Sequence, residues 1–433
     1  MFLTVCSLFF YAWGEPIFVF VMIGSILGNW AFALWVDKVR NNKTLSKIAL
    51  ILTVLTNLSV LFIYKYLAFT FTSINNIFSA NIIIPQIILP IGISFFTFQA
   101  MSYVFDVNRQ NGDVQKNPLN VALYISFFPQ LIAGPIVRYE TIAKQIKHRK
   151  ETLNDFVSGI YRFIIGLAKK VIIANHLALV SNFAFENYNS SVAMAWLGII
   201  AYTFQIFYDF CGYSDMAIGL GKMFGFHFLE NFNYPYVSKS ISEFWRRWHI
   251  SLGTWFRDYV YLPLGGSRTN KTIRLIFNLF VVWILTGIWH GANWTFFIWG
   301  LMYFALITLE KTTGFYKKLG WFNHIYTMAF VIIGWVIFRS NSLPESITYL
   351  GNMIGIGTTS LIDNKAIFYF NEYKFFYLFA LLFAIPIAPW LSSKIKNNKL
   401  SNSFNLIAVI LLFLVSVAYI VKGSYNPFIY FNF

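Results

Sequence analysis

Residues 16–36 and 405–421 are apolar runs without a charged side chain, close to the roughly 20 residues that a helix needs to cross about 30 Å of hydrocarbon. Several shorter runs lie between them, so the bilayer acts as the solvent for most of the chain. In lipid every backbone N–H and C=O must be bonded internally, which for segments of this kind means helices and an all-α protein. Composition agrees: 58% of the 433 residues are hydrophobic and 12% charged, too much apolar surface for a soluble fold to bury. The formal charge of +16 does not point to nucleic acid, because Lys and Arg gather in short loops between apolar runs. Cys6 and Cys211 both sit in apolar sequence, with neither metal-ligand nor disulfide spacing, and receive no role.

Basic loops orient the chain. Residues 37–47 carry Lys38, Arg40, Lys43 and Lys47, whereas residues 70–81 carry no basic residue, so the first loop is expected inside and the second outside. Residues 82–105 then return inward. The next segment, 121–137, has basic residues on both flanks and is broken by Pro129, Gly134 and Pro135. It is expected to be a re-entrant hairpin buried in protein rather than a span. A helix from about Phe156 leads outward and 192–210 returns, followed by a basic cytoplasmic or interfacial region, 222–274. Residues 276–288 and 294–309 form an up-and-down pair with Trp289-His290-Gly291 at its turn. Residues 321–338, 375–390 and 405–421 cross in succession, leaving the aromatic tail 423–433 outside. Residues 2–13 are too short to span and lack the basic flank and cleavage site of a signal peptide, so a truncated start is expected. With no internal repeat or linker, residues 1–433 read as one membrane domain.

On a helical wheel, residues 239–259 place Ile241, Phe244, Trp245, Trp248, Leu252, Trp255, Phe256 and Tyr259 on one arc, opposite Lys239, Glu243, Arg246 and Arg257. That is the pattern of an amphipathic helix lying in the membrane interface. His249 falls on the border of its two faces, either as hydrogen-bonded packing or as a functional group. His290 is sharper, because it interrupts a strongly apolar hairpin between Gly287 and Gly291, where an ionisable group is a functional candidate by default. A neutral imidazole there could take the proton from a hydroxyl attacking a thioester; the alternative is an imidazole bonded to a carbonyl freed at the turn. Asp209 and Asp215 read as capping groups or as partners of Arg246 or Arg247. The turn at Leu264-Gly265-Gly266-Ser267-Arg268 lacks phosphate-loop spacing.

Four motifs occur in order: Phe128-Pro129-Gln130-Leu131-Ile132-Ala133-Gly134-Pro135, Glu243-Phe244-Trp245-Arg246-Arg247-Trp248-His249, Tyr261-Leu262-Pro263-Leu264-Gly265-Gly266 and Gly287-Ile288-Trp289-His290-Gly291-Ala292-Asn293-Trp294. Together they resemble the membrane-bound O-acyltransferase family, from about Phe10 to the C-terminus. The Trp-His-Gly-Ala-Asn-Trp form and the ending Pro427-Phe428-Ile429-Tyr430-Phe431 resemble its alginate and peptidoglycan O-acetylation branch. The resemblance implies a ring of about eleven membrane helices around a central tunnel, joining a cytoplasmic donor side to an outer acceptor side. It also implies that His290 is the catalytic histidine and His249 the second characteristic one. No bound cofactor is expected: acetyl-CoA would be the co-substrate, its phosphates facing Arg246, Arg247 and Arg257. The implied location is a bacterial cytoplasmic membrane. The implied partners are an extracytoplasmic hydrolase-like (SGNH-type) acetyltransferase, a polysaccharide acceptor and membrane lipid.

Tyr430 adds an expected step. A phenol with pKa near 10 is a better leaving group than an alkyl alcohol, so an acyl-tyrosine in the outer tail could hold acetyl as an activated ester. An interfacial tyrosine belt is the plainer alternative. Two rivals stand beside acetyl transfer. One is D-alanyl transfer for teichoic acid modification, and the other a proton-coupled transporter, for which the matching pair of broken-helix halves is missing from the sequence.

Overall fold

The computed structural model describes residues 1–187, 191–268, 271–394, 399–423 and 428, and every regular element among them is helical. Two compact units emerge: residues 1–160 with 217–229, and residues 161–216 with 230–433.

The first unit contains α1 (Phe2–Gly14), α2 (Phe18–Val39), α3 (Lys43–Phe78), α4 (Ile93–Asn108), α5 (Pro118–Ser126) and α6 (Tyr139–His148). The side chain of Asn42 starts α3 by accepting the N–H groups of Thr44 and Leu45, both at 3.1 Å. Lipid tails give apolar helices no reason to associate, so polar side chains join α2 to α3. Asn29 and Asn57, both buried, exchange amide hydrogen bonds of 3.0 and 2.8 Å. The span expected over 82–105 is corrected, since its helix begins only at Ile93. Pro85 and Pro90 have no N–H to donate, and Gly92 adopts a left-handed φ of 77° with Leu131 O only 3.1 Å from where a Cβ would lie. The broken segment 121–137 is a short helix followed by turns, with Phe127, Leu131 and Ala133 all buried, as its proline and glycine pattern requires.

The long helices α7 (Leu153–Glu186) and α8 (Val192–Met223) supply residues 161–186 and 192–216 to the second unit. They approach closely at two glycines, because a Cβ on Gly166 would lie 2.5 Å from Gly212 O and one on Gly212 would lie 2.7 Å from Gly166 O. Beside this crossing Lys170 pairs with Asp209 at 2.5 Å, Lys169 with Asp215 at 2.6 Å, and Arg162 with Asp215 at 2.8 Å. The two acids therefore serve the α7–α8 contact instead of Arg246 or Arg247. Charges this costly to desolvate need partners on the helix they already touch.

After α9 (Ile241–Arg247) and α10 (Ile250–Phe256) come α11 (Thr272–His290), α12 (Trp294–Thr313), α13 (Phe322–Arg339), α14 (Leu343–Met353), α15 (Asn364–Ala384), α16 (Ile387–Lys394) and α17 (Lys399–Lys422). Among the described residues seven helices are long and apolar enough to cross a membrane, not about eleven: α2, α3, α7, α8, α11, α13 and residues 403–422 of α17. Several apolar runs form helices that are too short, such as the 16 residues of α4. Others, such as α12 and α15, mix tyrosine and charged groups among their apolar residues.

The helices α11 and α12 form a tight hairpin. A Cβ on Gly287 would lie 2.5 Å from Phe296 O, and one on Gly300 would lie 2.6 Å from Trp283 O, so two backbones touch where side chains normally intervene. Gly287→Ala is therefore expected to force the hairpin apart, at an overpacking cost of about 1–3 kcal/mol. The thermal midpoint in detergent should fall, whereas Gly28→Ala, with nothing within 4 Å of its Cβ position, should not lower it. Equal midpoints for the two variants would refute this reading of the crossing.

Candidate active site

The Gly287–Gly300 contact holds His290 at the last position of α11, and a second histidine reaches the same aromatic cluster by a different route. Residues 239–259 do not form the single interfacial helix expected from the wheel. Ser240 accepts the Glu243 N–H at 3.0 Å while Glu243 accepts the Lys239 N–H at 2.9 Å, a reciprocal box that starts α9. Glu310, buried on α12, accepts the N–H groups of Ile241 at 2.7 Å and Ser242 at 2.9 Å. The helix ends at Arg247, and His249 takes a left-handed backbone (φ 47°, ψ 53°) before α10 begins. That break re-aims the arc. Trp248, Leu252, Trp255 and Phe256 are buried within the protein, and Trp245 packs edge-on against Trp283, Trp299 and Tyr303, at ring distances of 4.9 to 5.3 Å.

Both histidines are buried, 2% exposed at His249 and 3% at His290, so neither can be a surface group. The His290 ring lies 5.0 Å from Trp289, 5.0 Å from Trp299 and 5.2 Å from Phe338, each contact edge-to-face. His249 lies 4.6 Å from Phe210 and 6.0 Å from Trp289, so the Trp289 indole is common to both imidazoles. Nδ1 of His249 is 3.1 Å from Asn231 Oδ1. Burial pushes the His249 pKa down to about 3, because charging an imidazole away from water is unfavourable. Burial therefore favours the neutral ring.

The arginines divide. Arg247 is bound to Glu243 at 2.8 Å and to the Asn233 carbonyl at 3.2 Å, while Arg257 is bound to Asp258 at 2.7 Å; Arg246 is exposed. Tyr430 lies outside the described residues. Phe428 does not: it is buried, with its ring 5.8 Å from Phe210 and 5.0 Å from Tyr213. Two residues that hold the histidine segment in place carried little signal in the sequence. Asn231 sits in a turn-rich stretch, and only tertiary packing brings it to His249. Glu310, an acid near the end of an apolar helix, could have been flagged as an ionisable group in a membrane segment.

Residues 93–343, more than half the chain, match the family model described as membrane-bound O-acyltransferase. The probable alginate O-acetylase AlgI of Pseudomonas syringae pv. tomato is 42% identical over 372 residues, covering 84% of this chain and 72% of that protein. The peptidoglycan O-acetyltransferase of Helicobacter pylori is 33% identical over 485 residues, covering 100% of this chain and 91% of that protein. The teichoic acid D-alanyltransferase of Bacillus subtilis is 34% identical over 270 residues, covering 57% of this chain and 68% of that protein. Multiple apolar helices, two buried histidines in one aromatic cluster and these matches agree: the chain belongs to the membrane-bound O-acyltransferase family and is a multi-pass membrane acyltransferase.

Proposed function

We propose that this enzyme, in the bacterial cytoplasmic membrane, moves acetyl from cytoplasmic acetyl-CoA towards the hydroxyl groups of an envelope polysaccharide such as alginate or peptidoglycan. The observation that carries this reading is the burial of His249 and His290 against one shared indole, Trp289, at ring distances of 6.0 and 5.0 Å. His290 acts as general base, taking the proton of the attacking hydroxyl as the new C–O bond forms, the thioester C–S bond breaks and CoA leaves as thiolate. His249 supports it as a neutral polar group. Of the three arginines assigned to the CoA phosphates, Arg246 is the best placed to receive them, since Arg247 and Arg257 already hold carboxylates. Relatives that acetylate alginate or peptidoglycan match all or most of this chain, whereas the teichoic acid D-alanyltransferase matches 57% of it, which favours acetyl over D-alanyl. The central tunnel belongs to this reading.

Tyr430 is the first acceptor in this reading, and an extracytoplasmic hydrolase-like partner passes the acetyl group from it to the polysaccharide. Phe428, two residues earlier, is buried beside Phe210, which touches His249, and this supports the reading. The test is to treat the purified protein in lipid nanodiscs with radiolabelled acetyl-CoA. Label is expected on the unmodified protein and absent from Tyr430→Phe at equal abundance. Label retained by Tyr430→Phe would remove the relay, and absence of acetyl-CoA binding altogether would favour a transporter.

A further inference from the structure

We infer that Asn231 is a positioning residue that fixes His249 as its Nδ1–H tautomer, so that only Nε2 can accept a proton. This inference rests on the role given to His249 above and adds to it the direction in which that imidazole works.

The argument starts from a donor that cannot be reversed. The backbone N–H of Ser251 points at one terminal atom of the Asn231 amide, 3.1 Å away, and a backbone N–H only donates. That terminal atom is therefore the oxygen. The other end of the amide is compatible, because Nδ2 can donate to Ser214 Oγ at 2.9 Å. The orientation of Asn231, often ambiguous in an amide, is thus set by the Ser251 N–H. Nδ1 of His249 lies 3.1 Å from the same oxygen. Facing an oxygen that only accepts, Nδ1 is favourable only if it carries hydrogen. An unprotonated Nδ1 would set two lone pairs against each other. Ser251 Oγ, 2.9 Å from Asn231 Oδ1 and 3.4 Å from Nδ1, also donates to the oxygen and leaves the assignment intact. A neutral ring with hydrogen on Nδ1 carries its lone pair on Nε2.

The backbone adds a second reason to single out Asn231. His249 is one of few non-glycine residues with positive φ among those described, a conformation that costs about 1 kcal/mol or more and persists only when surroundings over-determine it. Asn231 supplies that surround: its carbonyl accepts the Ile250 N–H at 2.9 Å and its side chain accepts the Ser251 N–H, so one residue caps the first turn of α10 and orients the imidazole before it.

The chemical consequence is specific. A carboxamide oxygen does not take a proton near neutral pH, so His249 cannot pass a proton through its ring from Nε2 to Nδ1. It works at one nitrogen, as an acceptor.

Selective 15N-histidine labelling of the full chain in nanodiscs reads the tautomer directly, with the His249 signal assigned by its loss in His249→Gln. The expected spectrum has hydrogen on Nδ1 and none on Nε2. An Nε2–H tautomer in the unmodified protein would overturn the inference. Kinetics give a second readout. Asn231→Leu is expected to lower kcat by about 10-fold or more with KM for acetyl-CoA nearly unchanged. Asn231→Asp keeps an acceptor for Nδ1–H and for Ser251 but adds a charge that favours imidazolium. It should retain activity at neutral and alkaline pH, while the His249 ring, followed by the same 15N signals, titrates at higher pH than in the unmodified protein. A His249 titration in Asn231→Asp superimposable on that of the unmodified protein would count against the positioning role even if Asn231→Leu failed to fold. Full activity of His249→Gln would instead remove His249 from the reaction, an outcome separable from the tautomer that the spectrum reports.

Discussion

His290→Gln is expected to lower acetyl transfer by about 10²–10⁴-fold, the range attributable to a positioned general base, while acetyl-CoA still binds. Three edge-to-face rings and 3% exposure leave His290 little room to reorient, so its value lies in where the imidazole already stands. Glutamine fills much of the same space and offers polar atoms but cannot take a proton at neutral pH. His290→Ala removes the same chemistry and also leaves a cavity beside Trp299 and Phe338. It should therefore match the glutamine variant in rate and fall below it in thermal midpoint. Single-turnover acetyl transfer at saturating acetyl-CoA separates the effects, because loss of a group used only in the transition state lowers kcat without raising KM. A variant that retained most of its kcat would end the case for His290 as base.

Apolar runs revealed the membrane helices because one solvent, lipid, acts on each of them separately, and residues 16–36 and 405–421 became spans with ends shifted by only a few residues. His290 stood out for the same reason: an ionisable group in apolar sequence is anomalous locally, with no knowledge of its neighbours needed. The wheel over 239–259 failed because it assumed unbroken periodicity, and the break at His249 depends on bonds to Asn231, 18 residues earlier, and on Glu310, 69 residues beyond Ile241. The arc was indeed buried, but against Trp283, Trp299 and Tyr303 rather than in lipid. Pairing of Asp209 and Asp215 failed similarly. Charge complementarity alone did not distinguish Lys169 and Lys170 from Arg246 and Arg247, and the close approach at Gly166 and Gly212 decided between them.

Glu310→Ala is expected to be the most damaging substitution outside the histidines, because Glu310 holds the start of α9. Its carboxylate is 2% exposed and satisfies two N–H groups at the start of α9, at 2.7 and 2.9 Å, where the helix end also presents partial positive charge. Alanine strands both donors away from water, at about 1–3 kcal/mol each. The damage should travel along α9 to Trp245 and Trp248, because those indoles are held at Trp299, Tyr303 and Trp335 only while the helix start is fixed. Since His249 directly follows Trp248, displacement of α9 reaches the site by a covalent path. Glu310→Gln retains one acceptor oxygen and should fall between alanine and the unmodified chain in both thermal midpoint and acetyl transfer. Glu243→Ala offers the contrast: that acid closes a box at the partly exposed edge of the same helix, where water can replace it, and its loss should cost about 1 kcal/mol. If Glu310→Ala proved no less stable than Glu243→Ala, α9 would have to be anchored chiefly by its tryptophans, and the carboxylate would be a consequence of that packing instead of its cause.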